Sequence, residues 1–140
     1  TFLTKTMSTS SDSKAITPSG IAFSTTAEFL KLRTVNGDIG IMADHMPLVT
    51  ELSYGEMVVK QEKGGEVRYY IDGGFMEVNK ERVLILGDEI IESSQIDIER
   101  ARREKEIEES KLSKLKEEED IARANKKIQE NLMKIKIGSK

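Results

Sequence analysis

The stretch EMVVKQEKGGEVRYYI, residues 56–71, decides the fold of the first two thirds of the chain. It holds two runs rich in β-branched and aromatic residues, joined through Lys63-Gly64-Gly65, and this is the pattern of a β-hairpin. Comparable short runs lie on either side of it, at 28–35, 39–42, 47–50, 75–78 and 83–86. Short strands at near-regular spacing, with no helical periodicity among them, predict an all-β sandwich or barrel.

Two glycine-containing dipeptides fit that reading. Asn36-Gly37 predicts a tight hairpin turn, because a type I′ turn needs two residues that accept positive φ. Gly73-Gly74 resembles a phosphate-binding loop only superficially, since it lacks the Gly-x-x-x-x-Gly-Lys-Ser/Thr spacing and no helix follows it. We interpret it as a β-bulge or a tight entry into a strand.

The pattern changes after Ser93-Ser94. A run without Gly or Pro follows Asp97 and lasts to Gly138, with an acidic cluster at 117–120 that suits the start of a second helix. This predicts two helices joined near 116–119 as an antiparallel hairpin. The second helix carries an apolar stripe of Ile121, Ala124, Ile128, Leu132 and Ile135. The first carries a sparser one of Ile96, Ala101, Ile107, Leu112 and Leu115.

Composition excludes several classes of protein. The 140 residues carry a net charge of −3, which argues against nucleic acid as the main partner. No run of 18 apolar residues is present, so we expect any membrane association to be indirect. One histidine, no cysteine and no phosphate-binding loop leave little support for an enzyme.

The sequence also predicts three segments. Residues 1–14 are rich in Ser and Thr and offer little apolar alternation, so we expect a flexible or atypical N-terminal segment. A transit segment, a solvated tail and an altered start are the alternatives for it. Residues 15–91 form the predicted β-domain and residues 92–140 the predicted helical hairpin.

An ordered series of motifs carries a family resemblance. It comprises Leu32-Arg33-Thr34, Gly37-Asp38-Ile39-Gly40-Ile41, His45-Met46-Pro47-Leu48-Val49-Thr50, Leu52 with Gly55, Gly73-Gly74-Phe75-Met76-Glu77-Val78, Val83 to Leu86, Asp88 and Ile96-Asp97-Ile98-Glu99-Arg100-Ala101. Over about 15–101 the chain resembles the epsilon subunits of F-type ATP synthases. The resemblance implies a mainly β plus α fold, a ten-stranded β-sandwich followed by a C-terminal antiparallel two-helix hairpin.

The same resemblance implies a function. Epsilon subunits are non-catalytic parts of the rotor whose sandwich attaches to the gamma subunit and the c-ring. Their hairpin either folds back or extends to the catalytic β subunit, where it restrains ATP hydrolysis. We therefore expect a chain that is monomeric when isolated. In the complex it is expected on the cytoplasmic face of the bacterial inner membrane, held there only through its partners.

The resemblance also implies site residues. The turn Asn36, Gly37 and Asp38 is expected to face the c-ring, and His45 is either a hydrogen-bonded loop residue or a partner contact. On the second helix, Arg123, Lys126 and Lys134 form either a solvated face or a contact with the β subunit.

In some bacterial members an Ile-Asp-x-x-Arg-Ala motif binds ATP as a regulatory ligand, and no cofactor is required. That motif is Ile96, Asp97, Arg100 and Ala101 here, with Lys127 as a further candidate, although Ile91 and Ile107 replace polar residues of ATP-binding relatives. The motif is equally well explained as a helix start capped by Asp97. The alternative function is a stand-alone nucleotide-sensing module.

Overall fold

The computed structural model describes residues 11–42 and 47–139, and the chain divides into two compact units. The N-terminal unit extends as far as Ile91, and the C-terminal unit begins at Glu92. The first is built from strands and the second from helices.

Nine strands form in the described part of the chain, compared with the ten implied by the family resemblance. They are β1 Ser11–Thr17, β2 Gly20–Thr34, β3 Gly37–Met42, β4 Leu48–Leu52, β5 Gly55–Gln61, β6 Glu66–Ile71, β7 Gly74–Val78, β8 Arg82–Leu86 and β9 Ile90–Glu92. The predicted hairpin of 56–71 is confirmed, with β5 and β6 antiparallel and Gly55 opposite Ile71.

The long strand β2 joins the two layers of the sandwich. Its first half pairs with β1, and its second half pairs with β3 and β5. The strand order is β1-β8-β7-β4-β2-β5-β6-β9, and β1 runs parallel to β8 while also pairing with β2. This second pairing of β1 closes part of the sheet on itself, as in a sandwich whose edge strands are covered.

Side chains that alternate along these strands fill the core between the layers. The largest fully buried ones in this core include Leu30, Leu32, Met57, Ile71 and Met76. Strands such as β7 and β8 therefore turn one face inward, with the alternation of period two that the sequence predicts. In β6 the three consecutive residues Tyr69, Tyr70 and Ile71 are all buried, so both faces of its end are covered.

Two details of this unit differ from the sequence prediction. Residues 11–14, expected in an atypical segment, belong to β1, because β2 and β8 satisfy the backbone on both sides and the buried position is taken by the small side chain of Ser13. The predicted Asn36-Gly37 turn closes one residue earlier, with Thr34 paired to Gly37. The hydroxyl of Thr34 fixes this register by donating to the Gly37 carbonyl at 2.8 Å and accepting from Asn36 N at 3.1 Å.

The C-terminal unit is the predicted antiparallel hairpin. After a 3₁₀ turn at Ser93–Gln95 come α1, Ile98–Leu112, and α2, Glu118–Gly138. Their packed faces differ from the predicted stripes at two positions. Ile107 is 52% exposed and Leu132 is also exposed, whereas Asn131 is buried. The sequence prediction assigned Ile107 to the packed stripe because it is apolar. Its position along the helix turns it well away from Ala101 and Leu112, which share one face of α1.

Candidate functional site

The motif residues 96–101 form the entry into α1. Asp97 is the N-cap, with extended backbone, and its Oδ1 accepts a hydrogen bond from Arg100 N at 3.0 Å. Ala101 is buried, Ile96 is half-buried, and the backbone at Ala101 donates to the Asp97 carbonyl at 3.1 Å. The carboxylate therefore acts first as a helix cap, which is the structural role predicted from the sequence.

Arg100 presents its charge to solvent beside this cap. Its guanidinium Nε donates to Glu104 Oε1 at 3.0 Å, and the side chain is largely exposed. A guanidinium held only by a surface ion pair is open to a competing anion, because such pairs contribute little free energy. Arg100 is thus placed where it can meet a phosphate group.

Lys127 is not brought close to Arg100. Its Nζ lies 3.8 Å from Glu108 Oε1. Glu108 is eight residues beyond Arg100 on α1, a rise of about 12 Å along the helix. The structure therefore does not support Lys127 in one site with Asp97 and Arg100.

Lys134 occupies the level that Lys127 was expected to hold. A Cβ at Gly138 would lie 3.0 Å from Ile98 Cγ1, so the end of α2 lies against the start of α1. In that antiparallel register position 134 falls opposite the first turn of α1, near position 101. Sequence reasoning assigned Lys134 to a solvated face or a partner contact and not to the motif, because the helix register cannot be read without the contacts that set it.

The two departures from ATP-binding relatives offer no polar group to this region. Ile91 lies half-buried in β9, and Ile107 projects from the exposed side of α1. Neither side chain can contact a phosphate or an amino group by hydrogen bonding.

The predicted partner-facing residues lie at the surface where the structure describes them. Asn36 and Gly37 are exposed at the β2–β3 turn, and the Asp38 carboxylate is 3.1 Å from Arg33 Nε. His45 lies outside the described residues. The Asp38 charge is therefore already shared with Arg33, and a partner cation would have to compete for it.

The predicted basic residues of α2 differ in their exposure, and at least one of them is paired within the helix. Arg123 forms an i,i+3 ion pair with Asp120 at 3.2 Å, Lys126 is exposed and Lys134 is half-buried. Exposed pairs of this kind exchange readily, so the face can present positive charge to an acidic partner.

An apolar surface that sequence reasoning missed crosses the outer face of the sandwich. Phe75 on β7 lies opposite Leu86 on β8, and Leu86 lies opposite Ile16 on β1, which lies opposite Ile21 on β2. Opposed residues on neighbouring strands project to the same side of a sheet. Phe75 is 57% exposed, and Ile21 and Leu86 are exposed as well.

We call Ile16, Ile21, Phe75 and Leu86 the outer apolar stripe. The sequence offered one indication of this surface. Phe75 alternates with the buried Met76 and therefore shares the solvent-facing side of β7 with Glu77. Contiguous exposed apolar residues on a folded domain are typical of a protein–protein interface.

Two further kinds of site find no support in residues 11–42 and 47–139. Neither helix there is both long and apolar enough to cross a bilayer. Over the same residues, no three His, Cys, Asp or Glu side chains are grouped so as to hold a metal ion.

The chain is a β-sandwich protein with a C-terminal helical hairpin, and Asp97 caps the first helix of that hairpin. Residues 12–93 match the family model described as ATP synthase, Delta/Epsilon chain, beta-sandwich domain. The chain is 47% identical over 124 residues to the sodium ion specific ATP synthase epsilon chain of Propionigenium modestum, covering 89% of this chain and 90% of that relative. The chain belongs to the family of ATP synthase epsilon chains, which confirms the resemblance predicted from its motifs.

Solved structures share the fold. One is a chain of the Euglena gracilis mitochondrial ATP synthase OSCP/F1/c-ring structure, with a TM-score of 0.76 at 22% identity, covering 88% of this chain and 78% of that one. Another is a chain of the Tetrahymena thermophila mitochondrial ATP synthase central stalk and c-ring, with a TM-score of 0.67 at 11% identity, covering 91% and 95%. Both likenesses confirm the architecture of strands followed by helices.

Proposed function

We propose that the chain is a non-catalytic rotor subunit of a bacterial F-type ATP synthase. In this proposal the sandwich joins the gamma subunit to the c-ring at the cytoplasmic face of the membrane, and the hairpin restrains ATP hydrolysis. The observation that carries it is the match to an epsilon chain over 89% of the sequence, a span that must include part of the helical hairpin as well as the sandwich.

Removing the hairpin tests the inhibitory part. A chain ending at Gln95 keeps all nine described strands and loses both helices. When reconstituted with the catalytic head, it is expected to bind as the full chain does and to leave a higher rate of ATP hydrolysis. Equal hydrolysis with the two chains at equal occupancy would contradict inhibition by the hairpin.

We infer that the gamma subunit covers the outer apolar stripe. A stripe crossing four strands gives an apolar contact area that a stable subunit interface needs at its centre. Phe75→Glu places a charge in the middle of the stripe and is expected to abolish co-purification with gamma. Ile107→Glu makes the same kind of change at an exposed isoleucine of the helical unit and serves as the control. Retained co-purification of the Phe75 variant would exclude this face.

We infer that the β2–β3 turn meets the c-ring. The turn exposes Val35 and Asn36, and the Asp38 carboxylate beside it can exchange Arg33 for a basic loop residue. Asp38→Asn is expected to weaken binding of gamma-bound chain to isolated c-rings most at low salt, where exposed charges interact most strongly. Binding that is unaltered at every salt concentration would place the c-ring contact elsewhere.

We infer that the basic face of α2 meets an acidic surface of the β subunit. Lys126→Glu reverses one exposed charge on that face and is expected to reduce inhibition of ATP hydrolysis. Lys114→Glu, at an exposed position between the helices, is the matched control. Equal loss of inhibition in both variants would point to net charge instead of this face.

We propose that ATP is a regulatory ligand of the α1 entry. The exposed Arg100 guanidinium supplies a phosphate contact, and the register places Lys134 at the same level of the hairpin. Arg100→Ala is expected to reduce the heat of ATP binding in calorimetry. Arg102→Ala removes a guanidinium paired with Glu99 on the same helix and is the control. Identical heats for all three chains would remove the nucleotide site and, with it, the alternative of a stand-alone nucleotide sensor.

A further inference from the structure

Contacts at two levels fix which faces of the helical hairpin meet. Lys127 Nζ lies 3.8 Å from Glu108 Oε1, and a Cβ at Gly138 would lie 3.0 Å from Ile98 Cγ1. Asn131 is four residues after Lys127 and seven before Gly138, so the three residues project from one side of α2. Both neighbours of Asn131 on that side contact α1. Asn131 therefore faces α1.

Asn131 is an unsatisfied polar group in this interface. Its side chain is 5% exposed, and its Nδ2 donates to the Lys127 carbonyl at 3.0 Å within its own helix. Its Oδ1 is buried and accepts no hydrogen bond among the described residues. A buried carbonyl oxygen that has given up water without a replacement donor destabilises the state in which it is buried. Separation of the helices would return water to it.

The facing side of α1 is also polar. Glu108 lies at the i+7 position from the buried Ala101, and its side chain is 13% exposed. The nearest cations are Lys111 Nζ at 3.6 Å and Lys127 Nζ at 3.8 Å. Charge-assisted hydrogen bonds are shorter, at about 2.7–2.9 Å. The pairing therefore offsets the desolvation of Glu108 only weakly.

We propose that Glu108, Lys127 and Asn131, the polar cluster of the hairpin, form a built-in weak point that keeps α1 and α2 ready to separate. Buried apolar residues such as Ala101, Ala124 and Ile128 hold the hairpin closed. The mostly buried Glu108 carboxylate and the buried Asn131 Oδ1 favour the opened state, in which both are hydrated, whereas the Lys127 side chain is 56% exposed and so offsets the burial of Glu108 only in part. Only the effect of opening on inhibition rests on the proposed function, in which the helices must part before they extend toward the catalytic head.

Hydrogen exchange of the full chain tests the weak point directly. The amides of α1 report closure, because a 15-residue helix that buries only Ala101 is marginal without its neighbour. Asn131→Leu removes the unsatisfied acceptor at similar volume and is expected to slow exchange in α1 by about tenfold. Asn125→Leu, the same change at an exposed position of α2, is expected to leave exchange unchanged. Unchanged or faster exchange in the Asn131 variant would overturn the proposal.

A second variant tests the proposal independently in case Asn131→Leu does not fold. The double change Glu108→Leu with Lys127→Leu replaces the ion pair by aliphatic contact and is expected to slow exchange in α1 several-fold. A double variant that folds and exchanges at the parent rate would equally overturn the proposal.

Inhibition of ATP hydrolysis separates this inference from the proposed function. If Asn131→Leu slows exchange, about tenfold more of the variant should be needed to inhibit the catalytic head. Slower exchange with unaltered inhibition would support the weak point and contradict the inhibitory role of hairpin opening. Unaltered exchange would overturn the weak point whatever the inhibition.

Discussion

Replacement of Asp97 separates its capping role from any role in binding a ligand. Asp97 Oδ1 accepts from Arg100 N at 3.0 Å, so Asp97→Ala leaves that amide without its acceptor. Loss of an N-cap of this kind costs about 1 kcal/mol in the free energy of unfolding. Asp97→Asn keeps an oxygen at the same place and loses only the attraction of a carboxylate to the helix dipole, roughly 0.3–1 kcal/mol. The expected order of stability is Asp, then Asn, then Ala.

The measurement is urea unfolding of the full chain followed through helix content, with hydrogen exchange of the first turn of α1. Glu117→Ala is the matched control, because Glu117 is the N-cap of α2 and its side chain makes no capping hydrogen bond. The control is expected to change stability little. Equal losses for the Asn and Ala variants of Asp97, or a loss at Glu117 as large as at Asp97, would refute the capping argument.

Two further predictions concern the sandwich. Burial raises the pKa of Asp72, with repulsion from nearby acids adding to the shift and the hydrogen bond from Glu89 N opposing it. The folded state disfavours the charged form of Asp72, so its folded pKa lies above the unfolded pKa of about 4. Stability therefore falls as the pH rises from the unfolded pKa through the folded pKa. Asp72→Asn keeps an oxygen that accepts from Glu89 N and should remove this decrease in the free energy of unfolding, measured with urea between pH 4 and 7. An unaltered pH profile would contradict the raised pKa of Asp72. Gly74 has a φ of +127°, and a Cβ there would overlap the Leu86 carbonyl oxygen. Gly74→Ala should therefore cost about 3 kcal/mol or more. Gly65→Ala, at φ +76° in open space, should cost about 1 kcal/mol, and equal losses would rule out the overlap.

Much of the fold was predictable because it depends on patterns among residues that are close together in the sequence. The run at 56–71 forms β5 and β6 as expected, since its turn glycines and alternating side chains favour one pairing without help from distant residues. Asp97 begins α1 for a similarly local reason, a side-chain acceptor placed three residues before an amide. Residues 11–14 escaped prediction because two neighbouring strands stabilise them, and neither lies next to them in a pattern that the sequence displays.

The candidate site was predictable in its residues and not in its arrangement. The motif from Ile96 to Ala101 could be assigned from sequence, and its geometry fits both a cap and an exposed Arg100. Lys127 and Lys134 could not be told apart in the sequence because residues seven positions apart on a helix share a face, although they lie about 10 Å apart along its axis. Only the contact between helices decides which lysine stands beside the motif.

The sequence by itself determined the family, the division into strands and helices, and the capped entry of α1. Its ordered motifs and periodicities depend on residues close together in the chain, so they can be read without coordinates. The tertiary structure alone decided that Ile107 faces outward and that the buried Asn131 Oδ1 finds no hydrogen-bond donor among residues 11–42 and 47–139. It alone also decided that Phe75, Leu86, Ile16 and Ile21 form one apolar stripe. Those facts depend on helix register and on strand order, which bring together residues that are far apart along the chain.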